Sequence, residues 1–440
     1  MIVLRGNKLV RVIDYCLGIT LVRLLSLFRR RGRQIPAKPD RILVILLGAV
    51  GDTLLLLPAM RLLAKKYPGA RVSFFCTGIN KELAGYLPGI SEIISFEFSR
   101  LLRGPGGLLR LAGLIRLLRR KDFDLVLDFE KWVRISALVS FAAGADYTVG
   151  FKTRGQHRHY CYDLAVEKSD RHVAEIFLDV VRTLPPASED VLPEPVWDRG
   201  VISRLQVPGP AMNHYVIIHP GAGGNVKHGA KRIWPLNNYA RLITDLAGRY
   251  EKLRFVLTGT AGESALAEDI ITELIRPKTP ASVGGGFQRA VKSSMDSANI
   301  QRGLNPPLNE VSFNRSSAGL GSRITNMAGK TDIHQLLGLV SGALLVISGN
   351  TGTMHMAVAL GVPVVALHGP TDPHKWGPRG EGHTVVQSPE PCSPCLDLGF
   401  EYNCRDAVCM ARISCHEVFR AAAGALSARS TGVSGDNAVP

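Results

Sequence analysis

Apolar residues along this chain fall into two kinds of run. Val10, Ile13, Leu17, Leu21, Leu24, Leu25 and Phe28 recur at three- and four-residue intervals, which lines one side of a helix predicted over residues 5–33. From residue 41 the pattern changes to short, nearly continuous apolar runs separated by amphipathic stretches. Residues 42–47 read as a buried parallel strand, followed by a glycine-containing turn and a helix over 53–66. Further strands are predicted at 71–76, 93–96, 125–127 and 147–150, with a basic helix over 108–120. The scheme restarts with strand 215–219, helix 237–249, strand 254–258, helix 263–275, strand 344–348, helix 353–360 and strand 362–368. Alternation of this kind predicts an α/β chain of two Rossmann-like, doubly wound parallel-sheet domains facing a central cleft, with ligands at the carboxyl ends of the strands.

Composition changes set the expected boundaries. A basic amphipathic segment occupies 1–38, the first domain 39–190, a proline-rich linker 191–212, the second domain 213–425 and a disordered tail 426–440. Within the second domain, residues 277–323 are rich in Gly, Ser, Asn and Pro without any period, the mark of a flexible insertion.

Charge narrows the partners. Lys and Arg number 53 against 37 Asp and Glu, a net +16 that points to a polyanion: nucleic acid, an anionic membrane surface or a phosphorylated substrate. Aromatic residues make up only 7% and are scattered, which argues against nucleic acid. The stretch 12–28 carries Asp14 and Arg23 and is shorter than a spanning helix. It is expected to lie on an anionic leaflet or to pack on the first domain; sequence leaves both open. Arg29-Arg30-Arg31 follows it where a secretory signal would need small residues.

Candidate chemistry gathers at strand ends. Gly48-Ala49-Val50-Gly51-Asp52-Thr53 follows the first strand and puts a carboxylate, Asp52, at a helix start, either as a cap or as a general base for a hydroxyl. His219-Pro220-Gly221-Ala222-Gly223-Gly224, with Lys227, Lys231 and Arg232 close behind, is suited to a pyrophosphate. Ser348-Gly349-Asn350-Thr351-Gly352-Thr353-Met354-His355 runs from a strand into a helix whose amides and dipole favour an anion. Gly369-Pro370-Thr371-Asp372-Pro373 ends the next strand. Three such turns in one domain predict a nucleoside diphosphate. Cys392, Cys395, Cys404, Cys409 and Cys415 cluster near the end, but their spacing lacks a second C-x-x-C or a His pair; buried or redox-variable thiols are expected over a structural metal.

Residues 42–58 (ILVILLGAVGDTLLLLP), KRIWP at 231–235, VLTGTAGE at 256–263, and the NTGTMHMAVALG and GPTDP runs between 350 and 373 resemble glycosyltransferase family nine, the ADP-heptose:lipopolysaccharide heptosyltransferases. The likeness covers residues 40–275 and 325–420. It implies the GT-B fold and an inverting, metal-independent transfer of heptose or a related sugar from a nucleoside-diphosphate donor, ADP-heptose in the family. The acceptor it implies is a hydroxyl of a phosphorylated, lipid-linked core. No cofactor is implied beyond the nucleotide sugar as co-substrate, and no metal. Carried over by position, Asp52 matches the catalytic base, Lys231 or Arg232 the phosphate-binding Lys, Glu263 the ribose holder and Thr331 the adenine contact. Gly221, Asn350, Thr351, Gly352 and His355 fall in the diphosphate turns, Asn350 standing where the family usually has Asp. The first domain takes the acceptor in this family, so Arg110, Arg116, Arg119, Lys152, Arg154 and Arg158 are candidates for its phosphates. A monomer working at the cytoplasmic side of the inner membrane is expected. The alternatives are a nucleotide-sugar epimerase of the same fold, or a non-enzymatic membrane-surface or nucleic-acid-binding protein.

Overall fold

A computed structural model describes the chain except residues 1–7, 29–31, 99–105, 187–195, 198, 203–204, 206–213, 224–228, 277–318, 397–403, 405–407 and 433–440. It forms two compact units, Met1–Val201 and Ile202–Pro440. Most of the expected linker and insertion lies outside the described residues.

The first unit is a six-stranded parallel sheet: β1 (Arg41–Ile45), β2 (Arg71–Cys76), β3 (Ile90–Ser95), β4 (Leu125–Asp128), β5 (Tyr147–Lys152) and β6 (Leu164–Glu167) in the order β3-β2-β1-β4-β5-β6. Helices cover the sheet, so β1 is buried at every position after Arg41 and reads as an unbroken apolar run. The helix expected over 53–66 is two, Val50–Leu55 and Leu57–Lys66. Pro58 at the second's first turn cannot extend a preceding helix, which explains the break. Sequence periodicity missed β6, whose four residues are mostly half-buried and present no apolar stripe.

The second unit repeats the plan with β7 (Tyr215–His219), β8 (Arg254–Leu257), β9 (Ile324–Asn326), β10 (Leu345–Gly349), β11 (Val364–His368) and β12 (His383–Gln387), ordered β12-β11-β10-β7-β8-β9. Its core joins β7, β8, β10 and β11 to the helices Leu236–Arg249, Ser264–Ile275 and Cys415–Gly432. The last of these corrects the boundary of the expected tail. Val418, Ala422 and Leu426 along one face are fully buried, so the ordered chain continues to Gly432.

The N-terminal helix, Lys8–Ser26, packs on the helix Arg134–Ala143 of the first unit. Arg134 donates its backbone N–H to Asp14 Oδ1 at 2.9 Å, and its guanidinium pairs with Asp14 Oδ2 at 2.7 Å. Gly18 lets the two helices close up, since a Cβ there would stand 3.0 Å from Arg134 Cδ. One side of this helix therefore packs on the first unit.

Candidate functional site

In each unit the winding direction of the sheet reverses between two neighbouring strands, the point beyond whose carboxyl ends open α/β folds bind ligands. In the second unit these strands are β7 and β10, with Ser348 in register with His219. The turns at 220–223 and 349–352 thus flank one position, although 125 residues (224–348) lie between them in sequence.

Glu263 organises the first of these turns. Its Oε1 accepts the amides of Ala222 and Gly223 at 2.9 and 3.0 Å, and its Oε2 accepts the Thr260 amide and hydroxyl at 3.0 and 2.9 Å. The carboxylate is buried directly under Gly221, where a Cβ would come within 2.4 Å of it. Burial alone would push the Glu263 carboxyl up; the Thr260 and Ala222 hydrogen bonds and His219 outweigh that and hold it below its usual range. His219 joins three strand ends: its Nδ1 lies 3.1 Å from Thr258 Oγ1 after β8 and 3.3 Å from Thr353 Oγ1 after β10. Burial lowers the His219 imidazole, opposed by the nearby Glu263 charge.

On the far side of β7, Arg232 donates to the backbone carbonyl of Asn350 at 2.5 Å, and Lys231 to that of Cys404. Thr351 precedes the helix Gly352–Ala359 at its N-terminus, and its hydroxyl meets Ser348 Oγ at 2.9 Å. His355 is buried in that helix's first turn. After β11, His368 is held in a buried site that lowers its ring to about 4, the Thr371 carbonyl and Asp372 opposing and Arg232 reinforcing the effect of burial. A neutral imidazole there adds no charge to this edge of the sheet.

In the first unit the reversal lies between β1 and β4, Ile45 being in register with Asp128. Asp52, on the helix after β1, accepts from Lys131, on the loop after β4, at 3.0 Å, with both side chains buried. Lys131 also sits 4.7 Å from the centre of the Phe177 ring. The helix cap is Ala49, and Asp52 falls within the first turn with its carboxylate turned to the ammonium. Buried Asn80 braces the same turn, donating to the Leu46 carbonyl and Thr53 Oγ1.

The sequence pattern of glycosyltransferase family 9 (heptosyltransferase) matches residues 111–282 and 305–404, more than half of the chain and across both units. The chain belongs to glycosyltransferase family 9. It is 23% identical to lipooligosaccharide heptosyltransferase 2 of Haemophilus influenzae over 359 residues, covering 79% of this chain and 88% of the relative. It is 24% identical to lipopolysaccharide heptosyltransferase 2 of Escherichia coli over 370 residues, covering 79% and 88%. Among solved structures, the Escherichia coli ADP-heptose lipopolysaccharide heptosyltransferase II has a TM-score of 0.61 at 21% identity, covering 88% of this chain and 99% of that one. An Escherichia coli heptosyltransferase bound to ADP has a TM-score of 0.62 at 16% identity, covering 88% and 99%. The fold is therefore GT-B, and the protein is a glycosyltransferase; the non-enzymatic readings fall away.

For a family 9 enzyme, the structure brings Gly221, Glu263, Arg232, Asn350, Thr351, Gly352 and His355 to one edge of the second sheet, with Thr331 just past β9 on that edge. Glu263, expected to hold the ribose, is engaged within the chain as well. Each of its oxygens already accepts two protein hydrogen bonds, so its role within the chain is to clamp the glycine turn to Thr260. Of the acceptor candidates, Arg110, Arg116 and Arg119 are exposed on the helix Gly106–Arg120; Lys152, the last residue of β5, is exposed and paired with Glu167, and Arg154 is exposed just past it. Arg116 and Arg119 line an open groove of about 470 Å³ with Ala112, Ile115 and Arg120.

Arg158 is a correction. It is fully buried, paired with Asp128 at 2.9 Å and bonded to Ser136 Oγ, the Tyr162 hydroxyl and the Glu130 carbonyl, so it holds the core together and faces no phosphate. Sequence reasoning also missed Lys131. Its signal was position alone: the first residues after β4, in DFEK, must meet the turn after β1 wherever the winding reverses there. Among the described residues, no group of three or more His, Cys, Asp or Glu side chains is gathered as for a metal. Cys392 and Cys395 are exposed and Cys409 and Cys415 buried, the burial raising their thiols to about 11 and about 12.

Proposed function

We propose that this enzyme transfers heptose or a closely related sugar from a nucleoside-diphosphate donor, ADP-heptose being the first choice, to a hydroxyl of a phosphorylated lipopolysaccharide-type acceptor at the anionic inner-membrane surface. The observation that carries the reading is the pair of turns at the β7–β10 reversal, where a glycine turn held from beneath by Glu263, a helix N-terminus and Arg232 assemble the features of a diphosphate site. Family membership and the names of the relatives support the sugar and acceptor classes. Gly106–Arg120, with its exposed arginines, supports a phosphorylated acceptor.

In the proposed reaction Asp52 takes the proton from the acceptor hydroxyl. The oxygen attacks the anomeric carbon from the side opposite the diphosphate, the bond to the diphosphate oxygen breaks, and the configuration inverts. The departing negative charge is met by main-chain amides and cations in place of a divalent ion. Lys131 holds Asp52 oriented until the hydroxyl arrives. Asp52→Ala is expected to abolish sugar transfer while ADP binding by calorimetry stays within about twofold of wild type. Wild-type turnover by the purified variant would remove Asp52 from the mechanism. Titration with ADP-, GDP- and UDP-sugars decides the base, and incubation with donor alone distinguishes transfer from epimerisation, which needs no acceptor.

A further inference from the structure

The N-terminal helix has two apolar sides. Val22 and Gly18 face inward, where Val22 is fully buried among Ala137, Cys161 and Tyr162. Leu17, Leu21 and Leu24 form a second stripe at four- and three-residue spacing, continued by Phe28 in the turn that follows. These face outward, with 60%, 45%, 51% and 77% of their surfaces exposed, and Leu27 beside them is 78% exposed. A stripe of this length on a helix already docked elsewhere is not a core face, and its spacing is that of a helix lying along an apolar boundary.

Charge identifies what covers it. The helix Gly106–Arg120 packs on the same helix, Arg134–Ala143, as the N-terminal one and exposes Leu109 at 78% and Leu117 at 44%. Between them the two carry Lys8, Arg11, Arg23, Arg110, Arg116, Arg119 and Arg120 against a single acid, Asp14, which is engaged by Arg134. In sequence Arg29-Arg30-Arg31 follows at once. Exposed leucines among arginines, with the one acid engaged by Arg134, complement an anionic lipid surface: acyl chains take the leucines, and headgroup phosphates the guanidiniums. Among the described residues no helix is long and apolar enough to cross a membrane.

We infer that the outer stripe of the N-terminal helix, Leu17, Leu21, Leu24 and Phe28, is an interfacial anchor for an anionic bilayer. The anchor is fixed to the first unit, because Asp14 and Arg134 bolt the helix to the element that follows the β4 loop carrying Lys131. The bilayer thereby sets the orientation of the acceptor-side unit as well as its location. This rests on the glycolipid acceptor proposed above.

The test is co-sedimentation with phosphatidylcholine vesicles containing or lacking phosphatidylglycerol, alongside transfer to a detergent-free, truncated acceptor. Wild type is expected to bind only the phosphatidylglycerol vesicles, and less as salt rises. The variant Leu17→Gln/Leu21→Gln/Leu24→Gln should bind them at least roughly tenfold more weakly, with an unchanged melting temperature and unchanged turnover on the truncated acceptor. Undiminished vesicle binding by the variant overturns the inference, as does equal wild-type binding to both vesicle types. So does a wild-type dimer in sedimentation equilibrium that the variant abolishes, since a second copy then covers the stripe. Vesicle binding by a wild-type protein that transfers no sugar would support the anchor and sink the transferase reading alone.

Discussion

Glu263→Gln tests the clamp beneath the glycine turn. The wild-type carboxylate satisfies four donors, the amides of Ala222, Gly223 and Thr260 and the Thr260 hydroxyl. A carboxamide fills the same volume but offers one acceptor oxygen and points an NH₂ group at the other two donors. The Thr260 hydroxyl can rotate to accept from that NH₂; a backbone amide cannot. At least one buried N–H is thus orphaned, costing about 1–3 kcal/mol, with further loss because the remaining hydrogen bonds are no longer charge-assisted. For a unit of this size each kcal/mol moves the midpoint by about 2–4 °C, so a fall of roughly 2–12 °C is expected by scanning calorimetry. The effect has a pH signature. Glu263 is held below its usual range in the folded chain, so its contribution is complete above the unfolded value of about 4.3 and is lost as pH falls through the folded value. The gap between wild-type and variant midpoints should therefore be constant near neutrality and shrink in acid. ADP affinity should fall with stability, because the turn that presents the amides has come loose. Weaker ADP binding at an unaltered midpoint would make Glu263 a direct nucleotide ligand and refute the clamp, and no change in either would refute it as well.

Lys131→Met leaves a buried carboxylate without its ammonium and should cost about 3–5 kcal/mol by chemical denaturation, most of it recovered in Lys131→Met/Asp52→Asn. A single variant as stable as wild type would show that the pair is not formed in solution. Gly221→Ala forces a methyl to within 2.4 Å of the Glu263 carboxylate, so a loss of about 1–3 kcal/mol and weaker ADP binding by calorimetry are expected. Arg158→Lys should lower the melting temperature with little change in acceptor KM, whereas Arg116→Gln/Arg119→Gln should raise that KM at unchanged stability; the reverse pattern would restore Arg158 to the acceptor site.

What was legible in the sequence follows from how strongly each element is buried. Central strands β1, β7, β10 and β11 announce themselves as apolar runs because both faces are covered. Edge strands β6, β9 and β12 are short and half-exposed and leave no period to detect. The glycine turns were readable as strand-end turns, and their convergence followed from parallel strands sharing one carboxyl edge. Partner identity was not readable. Arg158 looked like a solvent cation in a basic run, and only the fold shows Asp128 waiting for it 30 residues upstream. Glu263 sits in a helix-start pattern that fits a cap as well as a ligand; the structure makes it a cap for Thr260 and a tether for the neighbouring loop together.

The tie between Arg232 and position 350 runs to a main-chain oxygen. Exchange of acid for amide at that residue consequently leaves the grip of the guanidinium untouched. On the donor site proposed above, the side chain at this position can vary, and with it the choice of sugar, without dismantling the main-chain scaffold around it.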